Sequence, residues 1–103
     1  MNITIKATGL DLTPALKEFI EEKVGALQKL VAKFDENDSV LAAVEVSRTT
    51  KHHYKGDVFR AEINLELPHK MLRCEDNDSD IRVAIDRARD VLKREIVKYK
   101  ETL

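Results

Sequence analysis

Cationic side chains gather in three places in this chain. From Arg87 to Lys100 the sequence carries Arg87, Arg89, Lys93, Arg94, Lys98 and Lys100 against only Asp90 and Glu95. From Ser47 to Gly56 it carries Arg48, Lys51 and Lys55 with His52, His53 and Tyr54, and no acid at all. A third, weaker set is Lys17, Lys23, Lys29 and Lys33, diluted by Glu18, Glu21 and Glu22. Guanidinium and ammonium groups offer only donors and fixed charge, which is the chemistry that holds phosphate oxygens. Imidazole and phenol rings beside them can stack on unpaired bases. The plainer reading is a solvated surface. Arg82 and Asp86, and likewise Asp90 and Arg94, stand at i,i+4, a spacing that forms ordinary surface pairs worth a few tenths of a kcal/mol. The Ser47–Gly56 stretch then becomes a polar hairpin tip.

Other chemistries find less support. His52, His53, His69 and Cys74 are the strong soft-metal ligand types, yet no CxxC or HxxxH spacing joins them, and adjacent histidines at a strand end point to opposite faces. Asp76, Asp78 and Asp80 have the alternation of a calcium loop. They lack its turn glycine, and the twelfth position from Asp76 is Arg87 instead of glutamate. Helix capping accounts for them better, so no metal is expected. With three glycines in all there is no glycine-rich phosphate loop. No nucleophile–base pair stands out, and Cys74 falls on an inward strand position as a small core residue. The chain does not read as an enzyme, and no cofactor is expected.

These residues need elements to position them. Ile3, Ile5 and Ala7 alternate with polar residues as a first strand, ended by Gly9. Thr13-Pro14 is a helix start, with threonine as N-cap and proline at the first helical position. A single apolar stripe of Leu16, Phe19, Ile20, Val24, Leu27, Leu30, Val31 and Phe34 predicts one helix as far as the turn at Asp35–Asp38, with Gly25 inside it to allow close approach to a neighbour. Ser39–Thr49 is a second strand with Val40, Ala42, Val44 and Val46 on one face. Asp57–Leu67 is a third, with Phe59, Ala61, Ile63, Leu65 and Leu67 inward and Arg60, Glu62, Asn64 and Glu66 outward. Pro68 bends the chain, and a short fourth strand over Lys70–Glu75 buries Leu72 and Cys74. The acidic run Glu75–Asp80 leads into a long helix with Asp78 or Ser79 as N-cap. Its apolar side is Ile81, Ala84, Ile85, Ala88, Val91, Leu92, Ile96 and Tyr99. The fold class is α+β, in the order β-α-β-β-β-α, a four-stranded sheet with two helices packed on one face. The crossover through the first helix makes strands one and two parallel.

At 103 residues, 43% hydrophobic and 36% charged, the chain fits a single soluble domain able to bury a core. Its formal net charge of −1 excludes nucleic-acid binding by bulk charge, so such a role needs charge segregation. One cysteine allows no internal disulfide, and MNITIKATG is not a leader peptide, so the expected place is cytoplasmic with no membrane association.

NIT near the start, LTPALKEFIEEKVGALQKL and above all SDIRVAIDRARDVLKREIVKYK resemble the ribosome hibernation-promoting factor family, also called ribosome-associated inhibitor or sigma modulation protein family. Asp80, Ala84, Ile85, Asp86, Leu92, Arg94, Lys98 and Lys100 match the pattern of its second helix, whereas Ala26, Ile81 and Arg82 depart from it. The resemblance spans nearly the whole chain. It implies a factor that binds the small ribosomal subunit and its rRNA near the decoding centre, and blocks translation by occluding the messenger and transfer RNA channel. It carries Lys17, Lys23, Lys29, Arg94, Lys98 and Lys100 over as rRNA contacts. The charge map adds Arg87, Arg89 and Lys93, with Arg48, Lys51, His52, His53, Tyr54 and Lys55 as loop contacts. It further implies a short form, one ribosome-binding domain over 1–103 without a C-terminal dimerisation domain, monomeric off the ribosome. The competing function is a protein–protein interaction module with a charged helical face.

Overall fold

The computed structural model describes residues 1–49 and 58–103. The described residues form a four-stranded sheet ordered β1-β2-β3-β4, with β1 Asn2–Thr8, β2 Leu41–Thr49, β3 Val58–Leu67 and β4 Lys70–Asp78. β1 is parallel to β2, and the other two pairings are antiparallel. Helices α1 (Pro14–Gly25), α2 (Gln28–Val31) and α3 (Ile81–Glu101) pack on one sheet face, and 3-10 turns cover Ala32–Phe34 and Glu36–Asp38. The expected order and the parallel first pairing are both present. No helix among the described residues is long and apolar enough to cross a membrane.

The core lies where period-2 and period-3.6 patterns meet. Ala42, Val46, Ala61, Ile63 and Leu65 face Ile20, Val24, Ile85, Leu92 and Ile96, all fully buried. Each large aliphatic side chain sealed this way contributes about 1.5–3 kcal/mol. Cys74 is part of this core, 5 % exposed, and burial pushes its thiol up from the ordinary value.

Local details differ from expectation in four places. First, the helix predicted to run unbroken to Phe34 is divided. α1 ends at Gly25, and the Leu27 N–H bonds back to the Val24 carbonyl at 3.0 Å, an i−3 step that tightens the chain before α2. The apolar stripe survives the break, with Leu27 and Val31 still buried. Second, a Cβ at Gly25 would sit 3.9 Å from Ile3 Cδ1, an ordinary contact, so close approach does not explain that glycine. Third, β4 runs to Asp78, not Glu75, because Phe59 pairs with Asp78 in the ladder. Fourth, the N-cap of α3 is therefore Asp80, whose side chain accepts from the Arg82 N–H at 2.9 Å. Asp78 is used otherwise: it accepts from the Asp80 N–H at 2.8 Å and pairs with Arg87 at 3.2 Å. Gly9 has φ +74, and a Cβ there would meet the Arg48 carbonyl oxygen at 3.3 Å.

The face opposite the helices is wet, and one residue on it is nonetheless sealed. The register sets Glu45, Glu62 and Glu75 side by side on adjacent strands, an unfavourable row of like charges. Glu62, 6 % exposed, accepts from Asn64 at 2.8 Å, from Arg73 at 3.1 Å and from Arg60, which also reaches Glu75. The Asn64 amide is the largest influence and the two guanidiniums add to it. Against the opposing effect of burial they hold the Glu62 carboxyl down at about 2, from an ordinary 4.5.

Three predictions follow from these contacts. Gly9→Ala forces a left-handed alanine against a carbonyl and is expected to lower unfolding free energy by about 1–2 kcal/mol, read by denaturant titration. The depressed Glu62 carboxyl contributes stability that is fully present above pH 4.5 and lost as pH falls towards about 2. Wild-type stability should therefore drop across that window, and Glu62→Gln should flatten the drop. Glu62→Ala leaves the Asn64 amide and the Arg73 guanidinium without their carboxylate, while Arg60 keeps Glu75, and should lose about 1 kcal/mol at neutral pH.

Candidate nucleic-acid interface

α3 is held by its stripe Ala84, Ile85, Ala88, Leu92 and Ile96, all at 0 % exposure. At about 100° per residue this fixes the bearing of every other side chain on the helix. Arg82, Asp86, Arg89 and Lys100 stand towards α1 and α2, and Lys93 stands on the open side. Arg87, Arg94 and Lys98 stand towards β4. The predicted cations of α3 are thus divided between the inner flank, the open side and the side of β4.

Specific contacts mark the inner flank. Lys23 lies 3.5 Å from Asp86, and Lys23 and Arg82 stand 5.5 and 5.3 Å from the centre of the Phe19 ring. Phe19 therefore has two cations against its ring at the α1–α3 seam, a contact that sequence reasoning missed, as it missed Arg82 as a candidate site residue. Lys100 donates to the Leu30 carbonyl at 3.1 Å and so ties the end of α3 to α2. Arg89 makes an ion contact with its neighbour Asp90 at 3.1 Å.

On the outer flank Arg87 is paired with Asp78. Lys98 is 74 % exposed and only 3.9 Å from Glu95 at its closest, a loose pair. Neither expected i,i+4 pair forms: Asp86 turns to Lys23 and Asp90 to Arg89. Arg94 is left exposed, and among the described residues neither it nor Lys93 nor Lys29 has an ion pair. Lys17 lies apart, on the α1 flank away from Phe19, beside Glu21 at 3.9 Å. Arg48 is on β2, its guanidinium 5.6 Å from the Phe59 ring. Lys51, His52, His53, Tyr54 and Lys55 lie outside the described residues.

The structure thus brings together Lys93, Arg94 and Lys98, which surround Val97 on the open surface of α3. Val97 is 42 % exposed. It was legible in principle as an apolar residue out of phase with the buried stripe. Among the described residues no three His, Cys, Asp or Glu side chains converge as a metal site. Asp76, Asp78 and Asp80 are each engaged with a backbone N–H.

Residues 3–103 match the family model described as Sigma 54 modulation protein / S30EA ribosomal protein. The chain belongs to this family. Its members are ribosome-associated proteins and not enzymes. Relatives include the ribosome hibernation promotion factor of Bacillus subtilis, 34% identical over 100 residues, covering 97% of this chain and 49% of that protein. The factor of the same name from Deinococcus radiodurans is 26% identical over 96 residues, covering 93% and 47%. The chain spans about half the length of the curated relatives it matches. The N-terminal domain of Thermus thermophilus Protein Y superposes with a TM-score of 0.76 at 30% identity, covering 96% of this chain and 99% of that one. A ribosomal subunit interface protein from Coxiella burnetii shares the fold at TM-score 0.69 and 20% identity.

Lys100 separates anchoring from binding. Lys100→Ala should lower unfolding free energy by about 1 kcal/mol through loss of the bond to Leu30. Lys29→Ala, exposed and unpaired among the described residues, should leave stability within about 0.5 kcal/mol of wild type in the same denaturant titration.

Proposed function

We propose that this chain is a ribosome hibernation factor. It binds the small ribosomal subunit near the decoding centre and blocks translation by occluding the messenger and transfer RNA channel. The match to a ribosomal protein family over residues 3–103 carries the reading. The names of the Bacillus and Deinococcus relatives support the hibernation role. Physically, the open cations of α3 supply what an RNA wall demands: fixed positive charge, with Lys93 and Arg94 free of an ion pair among the described residues and Lys98 only loosely paired to Glu95. The mechanism is occupancy, with no bond made or broken. The chain acts in the cytoplasm, as a monomer when off the ribosome.

Arg94, Lys98 and Lys93 are the principal phosphate contacts in this reading. Lys23, Arg87 and Arg89 join them by exchanging a carboxylate partner for phosphate. Lys17 and Lys29 extend the contact along α1 and α2, and Arg48, near the end of β2, adds to it together with Lys51, His52, His53, Tyr54 and Lys55, which follow it in sequence. Lys100 contributes mainly by holding α3 in place.

Reversal of two contacts tests this. Arg94→Glu with Lys98→Glu should keep the circular dichroism and melting of wild type. Its affinity for purified small ribosomal subunits in co-sedimentation should fall on the order of a hundredfold. Wild-type binding should weaken with salt at a slope of about 0.7–0.9 per phosphate contact on a log–log plot. A doubly reversed protein that pellets like wild type, or wild-type binding insensitive to salt, would instead favour a protein–protein module.

A further inference from the structure

We infer that the notch around Val97 seats one nucleotide of the RNA, with Val97 against its ribose or base face and the surrounding cations on its flanking phosphates. This rests on the ribosome-binding reading and adds to it an apolar contact that charge counting does not contain. Val97 is out of phase with the buried stripe and stands on the open side of α3, 42 % exposed. Lys93, Arg94 and Lys98 are its neighbours at i−4, i−3 and i+1, and together the four line a notch of about 360 Å³. Its lining is almost wholly apolar, supplied by Val97 and the hydrocarbon stems of the three cations, and side chains of this kind keep their charged heads in water beyond the stems.

That arrangement selects among ligands. An isolated phosphate or carboxylate uses the heads and gains nothing from the lining. An apolar peptide uses the lining but must pass between three cations, two of them without an ion pair among the described residues. A nucleotide within a chain presents both halves at once, an uncharged sugar or base face between two phosphates. The spacing of the side chains also suits it, because i, i+1, i+4 and i+5 form one diamond on the helix surface, with the apolar member at a corner shared by the three cations.

Neutral and charged contacts leave different marks on a salt series. Val97→Ala and Val97→Ser are expected to bind purified small ribosomal subunits about three- to tenfold more weakly, with an unchanged log–log salt slope, since no counterion is released by an apolar contact. Lys93→Gln and Arg94→Gln should weaken binding and also reduce that slope by roughly 0.7–0.9 each. Wild-type affinity in both Val97 variants, with losses in the two charge variants, overturns the notch and leaves the ribosome reading standing. Wild-type affinity in all four overturns both. Identity of the occupant is read by Val97→Cys carrying a thiol-linked photo-crosslinker. Cys74 is buried, so labelling falls on position 97. A cross-link to rRNA supports the proposal. A cross-link to a ribosomal protein alone, or none, overturns it.

Discussion

Burial of the α3 stripe against the sheet constrains everything on the outside of that helix. Ala84 and Ala88 are short enough to bring the axis close to β3 and β4, while Ile85, Leu92 and Ile96 fill the space beside them. Turning the helix by one residue would lift several of these side chains into water, at about 1.5–3 kcal/mol each. The bearing of Lys93, Arg94, Val97 and Lys98 is consequently as rigid as the core. Their arrangement is set before any ligand arrives, so little ordering beyond side-chain rotamers is needed on binding.

The same constraint decides which cations remain open. Asp86 faces the α1 seam and takes Lys23; Asp78, at the end of β4, takes Arg87; Asp90 takes its neighbour Arg89. Such exposed pairs are worth at most about 1 kcal/mol each, so they matter little for stability. Their effect is to engage Asp86, Asp78 and Asp90 with other cations, so that none of the three pairs with Arg94 or Lys93. A near-neutral total charge is thereby compatible with cations that lack an ion pair among the described residues.

The β-α-β-β-β-α order, the parallel first pairing and nearly every core residue were legible in the sequence, because periods of 2 and 3.6 are imposed by burial itself. Element ends were not. The extension of β4 to Asp78 depends on its ladder with Phe59, a non-local pairing that no acidic run announces, and it displaced the N-cap to Asp80. The break after Gly25 was hidden because Leu27 and Val31 continue the apolar stripe through it. The cation list was readable, but its partition was not: i,i+4 spacing suggested Asp90 with Arg94, whereas the choice of Arg89 depends on rotamers and neighbours. Lys100 looked like one more surface charge until α2 placed a carbonyl beside it.

The two faces of the molecule hold their charge differently, and this bears on orientation. On the sheet face Lys6, Arg60 and Arg73 stand among Glu45, Glu62, Glu66 and Glu75, and two of the three cations are locked to Glu62. On α3, Lys93 and Arg94 have no such partner among the described residues. A uniformly basic surface would adhere to any stretch of phosphate in any pose, since that attraction does not depend on sequence. A segregated surface repels a polyanion from one side and attracts it from the other, which selects a pose during approach within the roughly 8–10 Å over which charge acts at physiological salt. On the proposed reading, near-neutrality is part of how the chain orients itself on RNA, because reduced general attraction leaves the local geometry of α3 to set the pose.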